Sequence, residues 1–211
     1  GSIIAFNPDG SSRQTIVPTR AGYVVDDLVF QRPGGIYFTD FQGSSTRPKG
    51  GVYHVSPDFK KITPILPNMS AANGVALSPD GKVLWATEFC NSRLHRVDME
   101  DEVTAARFGT TVPYHFVGRA PDSMRTDSKG NVYVAMYQQG RILAFSPFGI
   151  PIGQILLPGR EENHFLKTTS LAFVPGSRDV VIVARDELGG RGSMIFRAQA
   201  LAEGVTLFSH Q

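Results

Sequence analysis

Apolar and polar positions alternate with a period of two through most of this chain. In "NVYVAMY" (131–137), Val132, Val134 and Met136 fall on one side of an extended segment and Tyr133 and Ala135 on the other. Apolar residues on both sides predict a strand covered on both faces. The pattern recurs. "DDLVFQRPGGIYFTDF" from Asp26, "NGVALSPDGKVLWATE" from Asn73, "DSMRTDSKGNVYVAMY" from Asp122 and "TSLAFVPGSRDVVIVAR" from Thr169 align under one another. In the first three a glycine falls eight positions after the start, at Gly34, Gly81 and Gly130; the fourth carries Gly176 and a longer turn. The starts are 47, 49 and 47 residues apart.

Each unit continues alike. A third strand is predicted in "GGVYHVSP", "SRLHRVDM", "GRILAFSP" and "GSMIFRAQ", and a fourth in "KKITPIL" and "GIPIGQILLPG". Four short strands in a unit of about 48 residues are the signature of a β-propeller blade, with an evenly spaced β-sandwich as the alternative. The opening "SIIAF" and "RQTIVPT" read as the third and fourth strands of another blade. The chain is therefore expected to be all-β: one propeller domain over residues 1–211, with about four and a half blades of four antiparallel strands, incomplete at its N-terminus.

Composition agrees. Of 211 residues 41% are hydrophobic, with 22 Gly and 14 Pro, which suits a turn-rich β chain. The net charge of +2 comes without a basic stripe, which argues against nucleic acid as a partner. No apolar run reaches the roughly 18 residues of a membrane span, so no membrane partner is expected. Cys90 is the only cysteine. It excludes an internal disulfide and fits a reducing compartment, the cytoplasm.

The repeat gives meaning to the strand heads. Equivalent positions of successive blades are related by rotation about one axis, so Asp26, Asn73, Asp122 and Thr169 should converge at one mouth of the channel. Asp26, Asn73 and Asp122 offer the oxygen ligands a hard cation takes, and two carboxylates aimed at one spot repel unless a cation or a proton relieves them. The alternative is local: Asp, Asn and Thr also sit at strand entries to bond nearby backbone. "SPDGK", "NPDGS" and "DSKGN" lack the twelve-residue calcium-loop pattern and read as hairpin turns. No GxSxG, HExxH or cysteine-pair motif occurs, and His54, His95, His115, His164 and His210 show no ligand spacing. His54 and His95, in third strands, are expected to be exposed or stacked. His115 and Tyr137 are candidates to line the mouth. Asp27 either bonds substrate or caps its strand.

At these residues the chain resembles the senescence-marker-protein/gluconolactonase/luciferin-regenerating-enzyme family, and within it the bacterial drug-responsive lactonase branch. "VVDDLVFQRPGGIYFTDFQGSSTRPKGGVYHVSPDF", "ANGVALSPDGKVLWATEFCNSRLHR", "APDSMRTDSKGNVYVAMYQQGRILAF" and "PIGQILLPGR" carry the resemblance, over essentially the whole chain. It implies a six-bladed propeller that binds a divalent cation, usually calcium, and hydrolyses lactones. By resemblance Asn73 and Asp122 match metal ligands, Asp122 also matches the catalytic acid/base, and Asp26 and Ser123 match the metal shell. One feature departs from the family pattern: its first-blade glutamate ligand has no counterpart, since no Glu occurs before Glu88. Measured against the family, about one and a half N-terminal blades are missing, which implies a companion N-terminal fragment or self-association at an open seam. The rival readings are a non-catalytic scaffold and a calcium-binding module.

Overall fold

The computed structural model describes residues 1–32, 34–187 and 192–206. Residues 33, 188–191 and 207–211, His210 among them, lie outside the described residues. A leading antiparallel pair, β1 (Ile3–Phe6) and β2 (Arg13–Val17), opens the chain. The first full blade contains β3 (Val25–Phe30) and β4 (Ile36–Asp40), then a small hairpin of β5 (Gly43–Ser44) and β6 (Arg47–Pro48), then β7 (Gly50–Val55) and β8 (Ile62–Met69). The second holds β9 (Ala72–Leu77), β10 (Val83–Glu88), β11 (Arg93–Met99) and β12 (Ala105–His115). The third holds β13 (Pro121–Thr126), β14 (Val132–Met136), β15 (Arg141–Phe145) and β16 (Pro151–Leu156). The fourth shows β17 (Lys167–Phe173), β18 (Asp179–Asp186) and β19 (Gly192–Gln199) among the described residues.

Every full sheet is antiparallel and runs from inner to outer strand in chain order. Innermost strands β3, β9, β13 and β17 pack in succession, β3 on β9, β9 on β13 and β13 on β17. The molecule is a β-propeller of four blades with a leading strand pair, as the repeat predicts. No described helix is long and apolar enough to cross a membrane.

The alternation of apolar residues builds a core between each pair of neighbouring sheets. Val132, Val134 and Met136 face the second blade with Trp85, Leu94 and Phe116, while Tyr133 and Ala135 face the fourth with Leu171 and Ile182. Val29, Tyr37, Val75 and Leu84 join the first and second blades, and Ile3, Ile16 and Val17 lock the leading pair onto Ile36 and Phe38. Middle strands β4 and β14 are buried along their whole length for this reason. The register glycines sit where the hairpins need a left-handed residue: Gly81 and Gly130 have φ of +71° and +80°, which glycine adopts without a steric penalty. Strand β12 has no clear counterpart in the sequence pattern. It is long, largely exposed, contains Gly109 and Pro113, and slips register twice against β11.

Candidate metal centre

The strand heads are not plain strand. β3 and β4 are in register at Val25–Asp40 and again at Leu28–Phe38, so Asp26 and Asp27 together oppose the single Thr39. The second blade repeats this with Asn73 and Gly74 against Thr87, and the third with Asp122 and Ser123 against Ala135. In the fourth, Thr169 is the extra residue between Thr168–Ala184 and Ser170–Val183. A β-bulge at one register position in every full blade re-aims the side chain at that point, here at the strand end beside the axis.

The bulges bring Asp26, Asn73 and Asp122 together. Asn73 and Asp122 are buried, and the Asn73 side chain hydrogen-bonds the Asp122 carboxylate. Burial first, and then the Asp26 charge, push Asp122 up to about 7, although the Ser123 amide donates to Asp122 Oδ1 at 2.9 Å. Asp26 is raised to about 6 by burial and by the Asp27 charge. Asp26 keeps an open side to solvent. Asn73 Oδ1 is buried with no hydrogen-bond partner among the described residues. Ser123 is buried beside Asp122. Thr169 holds the equivalent bulge, but no bond described here ties it to the cluster. Among the described residues no three His, Cys, Asp or Glu side chains form a metal-ligating group; the set at the mouth is carboxylates plus an amide.

Asp27 caps its strand, its Oδ1 accepting from the Leu28 amide at 2.9 Å, and has a further role that neither sequence alternative named. Its Oδ2 accepts from Arg125 Nη1 at 2.9 Å and its Oδ1 lies 3.3 Å from Arg125 Nη2, an ion pair between residues 98 apart in sequence. The pair runs from the first blade to the third, and the same Asp27 Oδ2 lies 3.4 Å from the Val75 amide of the second. Below it a cavity of about 520 Å³ opens at the opposite end of the channel, lined by Phe30, Leu77, Arg125, Phe173 and Pro175 among others. That cavity is separate from the strand heads.

Above the cluster stands an aromatic row. Phe41, Phe89 and Tyr137 each follow the second strand of their blade, with ring centroids 5.3 Å apart for Phe41–Phe89 and 5.7 Å for Phe89–Tyr137. Lys167 Nζ lies 5.4 Å from the Tyr137 ring centre. Tyr137 is therefore at the rim. His115 is not: it ends β12, the outermost strand of its blade, exposed and across from Arg93. His54 and His95 are buried rather than exposed. The His54 ring lies against that of Tyr37 at a tilt of 54°, centroids 4.8 Å apart, and contacts Gln31 Oε1 at 2.9 Å. His95 Nε2 lies 2.9 Å from Glu88 Oε2. Burial pushes Glu88 up, but the bonds from His95, the Ser70 amide and Asn91 outweigh it and hold the carboxylate at about 2. Glu88 is thus fully engaged inside its blade.

Over residues 1–182 the chain matches the model of the SMP-30/Gluconolactonase/LRE-like region. The chain belongs to this family. Lactonase drp35 of Staphylococcus aureus (strain USA300) is 51% identical over 215 residues, an alignment covering all of this chain and 66% of the relative, so the chain spans just under two thirds of that protein's length. Among solved structures of the SMP-30/gluconolactonase-like fold, a luciferin-regenerating enzyme superposes with a TM-score of 0.77 at 20% identity, covering 98% of this chain and 75% of the other. Regucalcin from Agrobacterium tumefaciens, described as a calcium-binding protein, follows with 0.73 at 17% identity, covering 96% and 72%.

Proposed function

We propose that this chain carries the reaction centre of a calcium-dependent lactonase. In this reading Asp26, Asn73 and Asp122, with Ser123 beside them, hold a divalent cation, and Asp122 is the general acid/base that opens a lactone ring with water. The observation that carries it is Asn73 Oδ1, buried and unpartnered next to the Asp122 carboxylate, whose proton affinity burial and the Asp26 charge raise. An all-oxygen donor set with excess negative charge fits a hard cation, calcium foremost. The similarity to proteins named lactonase supports the ester chemistry, and the likeness to a calcium-binding propeller supports the ion.

When bound, the cation supplies polarisation of a carbonyl oxygen and acidification of water. The chain's own residues do the rest. Asp122 accepts a proton from the water whose oxygen attacks the lactone carbonyl carbon. As the ring C–O bond breaks, Asp122 returns that proton to the leaving alkoxide, and a hydroxy acid results. Asn73 binds and orients, since an amide carries no proton at neutral pH. Phe41, Phe89 and Tyr137 offer an apolar wall to the ring carbons of the substrate. The lone thiol Cys90 fits a cytoplasmic setting.

Lactone turnover with and without a chelator tests this. Turnover is expected to vanish with chelator and return with added calcium. Chelator-resistant turnover would sink the metal assignment, and calcium binding without turnover would leave a calcium-binding module.

The carboxylates also make stability depend on pH. Both Asp26 and Asp122 have folded-state pKa values above the usual 3.8. A raised acid pKa contributes stability at low pH that is lost as pH rises through the folded value, here about 6 to about 7. Cation-free protein is therefore expected to melt at lower temperature at about pH 8 than at about pH 5, and calcium should reverse the loss. Equal melting temperatures at both pH values without calcium would refute the cluster's electrostatics.

A further inference from the structure

Two buried threonine hydroxyls join the strand heads. Thr39 Oγ1 accepts from the Asp27 amide at 3.0 Å and donates to the Asn73 carbonyl of the next blade. One blade on, Thr87 Oγ1 accepts from the Gly74 amide at 2.7 Å and donates to the Asp122 carbonyl at 2.9 Å. Both threonines are fully buried. Each faces the bulge of its own blade, so the hydroxyl takes the amide that the bulge leaves unpaired in the sheet. It then donates a hydrogen bond to the backbone carbonyl of the residue that heads the next blade. The two carbonyls so held belong to Asn73 and Asp122. In the third blade the position is Ala135, and the Ser123 amide turns to Asp122 Oδ1 instead. The series therefore stops at the residue proposed as acid/base.

We propose that Thr39 and Thr87 are positioning residues, which fix the spacing of Asp27, Asn73 and Asp122 around the axis by strapping each bulge to the next strand head. This rests on the reading of the cluster as a cation site. Neither threonine touches the cluster through its own hydroxyl; each acts on the backbone that carries a ligand. Removing a hydroxyl leaves one amide and one carbonyl buried without partners, and the heads lose their common frame.

The test uses calcium affinity measured directly by titration calorimetry on the full chain, alongside thermal melting. Thr87→Val keeps the shape and removes the hydroxyl; Thr87→Ser keeps the hydroxyl. Thr126 provides the control. Its Oγ1 donates to the Leu77 carbonyl between the same two blades, at the far end of the same strands. Thr87→Val should weaken calcium binding about 10–100-fold, the range that outer partners of metal ligands carry, and Thr87→Ser should restore most of it. Thr126→Val should lower the melting temperature comparably with affinity unchanged. If Thr87→Val binds calcium like wild type, or if Thr126→Val weakens binding as much, the straps are only structural and the proposal fails. If Thr87→Val does not fold, Thr87→Ser and Thr39→Ser decide, since wild-type affinity in both is required. A wild-type chain with no calcium affinity would overturn the cation site itself, and the straps' role with it.

Discussion

Replacing Asp122 by alanine is expected to abolish lactone hydrolysis in any active form of the protein, and saturating calcium is not expected to bring it back. The carboxylate is buried, pushed up to about 7 by burial and the Asp26 charge, and bonded to Asn73. The change removes a ligand and the proton carrier together. Asn73→Ala removes a neutral ligand alone, so excess calcium should restore occupancy by mass action and much of the rate. Occupancy cannot replace a general base, whose contribution is typically about 10²–10⁴-fold. Turnover against calcium concentration for both variants, with folding checked by circular dichroism, separates the roles. Full rescue of Asp122→Ala would reduce Asp122 to a ligand and send the search for the base elsewhere.

Gly74→Ala is expected to be the most damaging single-methyl change at the strand heads. A Cβ on Gly74 would lie 2.6 Å from the Asp122 carbonyl oxygen, 2.9 Å from the Met124 amide nitrogen and 3.0 Å from the Ser123 carbonyl carbon. All three are backbone atoms, so no side chain can swing aside, and the second and third blades must part. Overpacking of this kind costs about 1–3 kcal/mol. In a domain of this size that lowers the melting temperature by roughly 2–12 °C. Because the clash falls on Asp122 itself, calcium affinity should drop as well. Gly153→Ala, with nothing within 4 Å of its Cβ, should leave both quantities unchanged. A Gly74→Ala protein with native melting and native affinity would show that the blades do not meet as described.

The blades could be read from sequence because their signal is repeated and local. One alternation recurs four times and one glycine register three times, and each recurrence supports the others. The strand heads were legible for the same reason: Asp26, Asn73 and Asp122 share a position, and rotation about an axis does the rest. The Asp27–Arg125 pair was not legible, because it joins residues 98 apart with no pattern between them. Thr39 and Thr87 were hidden by their ordinariness, since threonine inside a strand reads as a β-former until its partners are known. The buried state of His54 and His95 does not show in the sequence, because a histidine in a strand reads as exposed or stacked until both faces of the strand are known to be covered by neighbouring blades. His115 was drawn toward the mouth by its closeness to Asp122 in sequence. His115 ends the outermost strand of the second blade and Asp122 heads the innermost strand of the third, and seven residues are enough to make that crossing.

The Asp27 carboxylate is a meeting point of three blades. It belongs to the first, lies 3.4 Å from the Val75 amide of the second and accepts from the Arg125 guanidinium of the third at 2.9 Å. Blades that share one anion do not drift apart singly: whatever displaces that carboxylate is felt in all three at once.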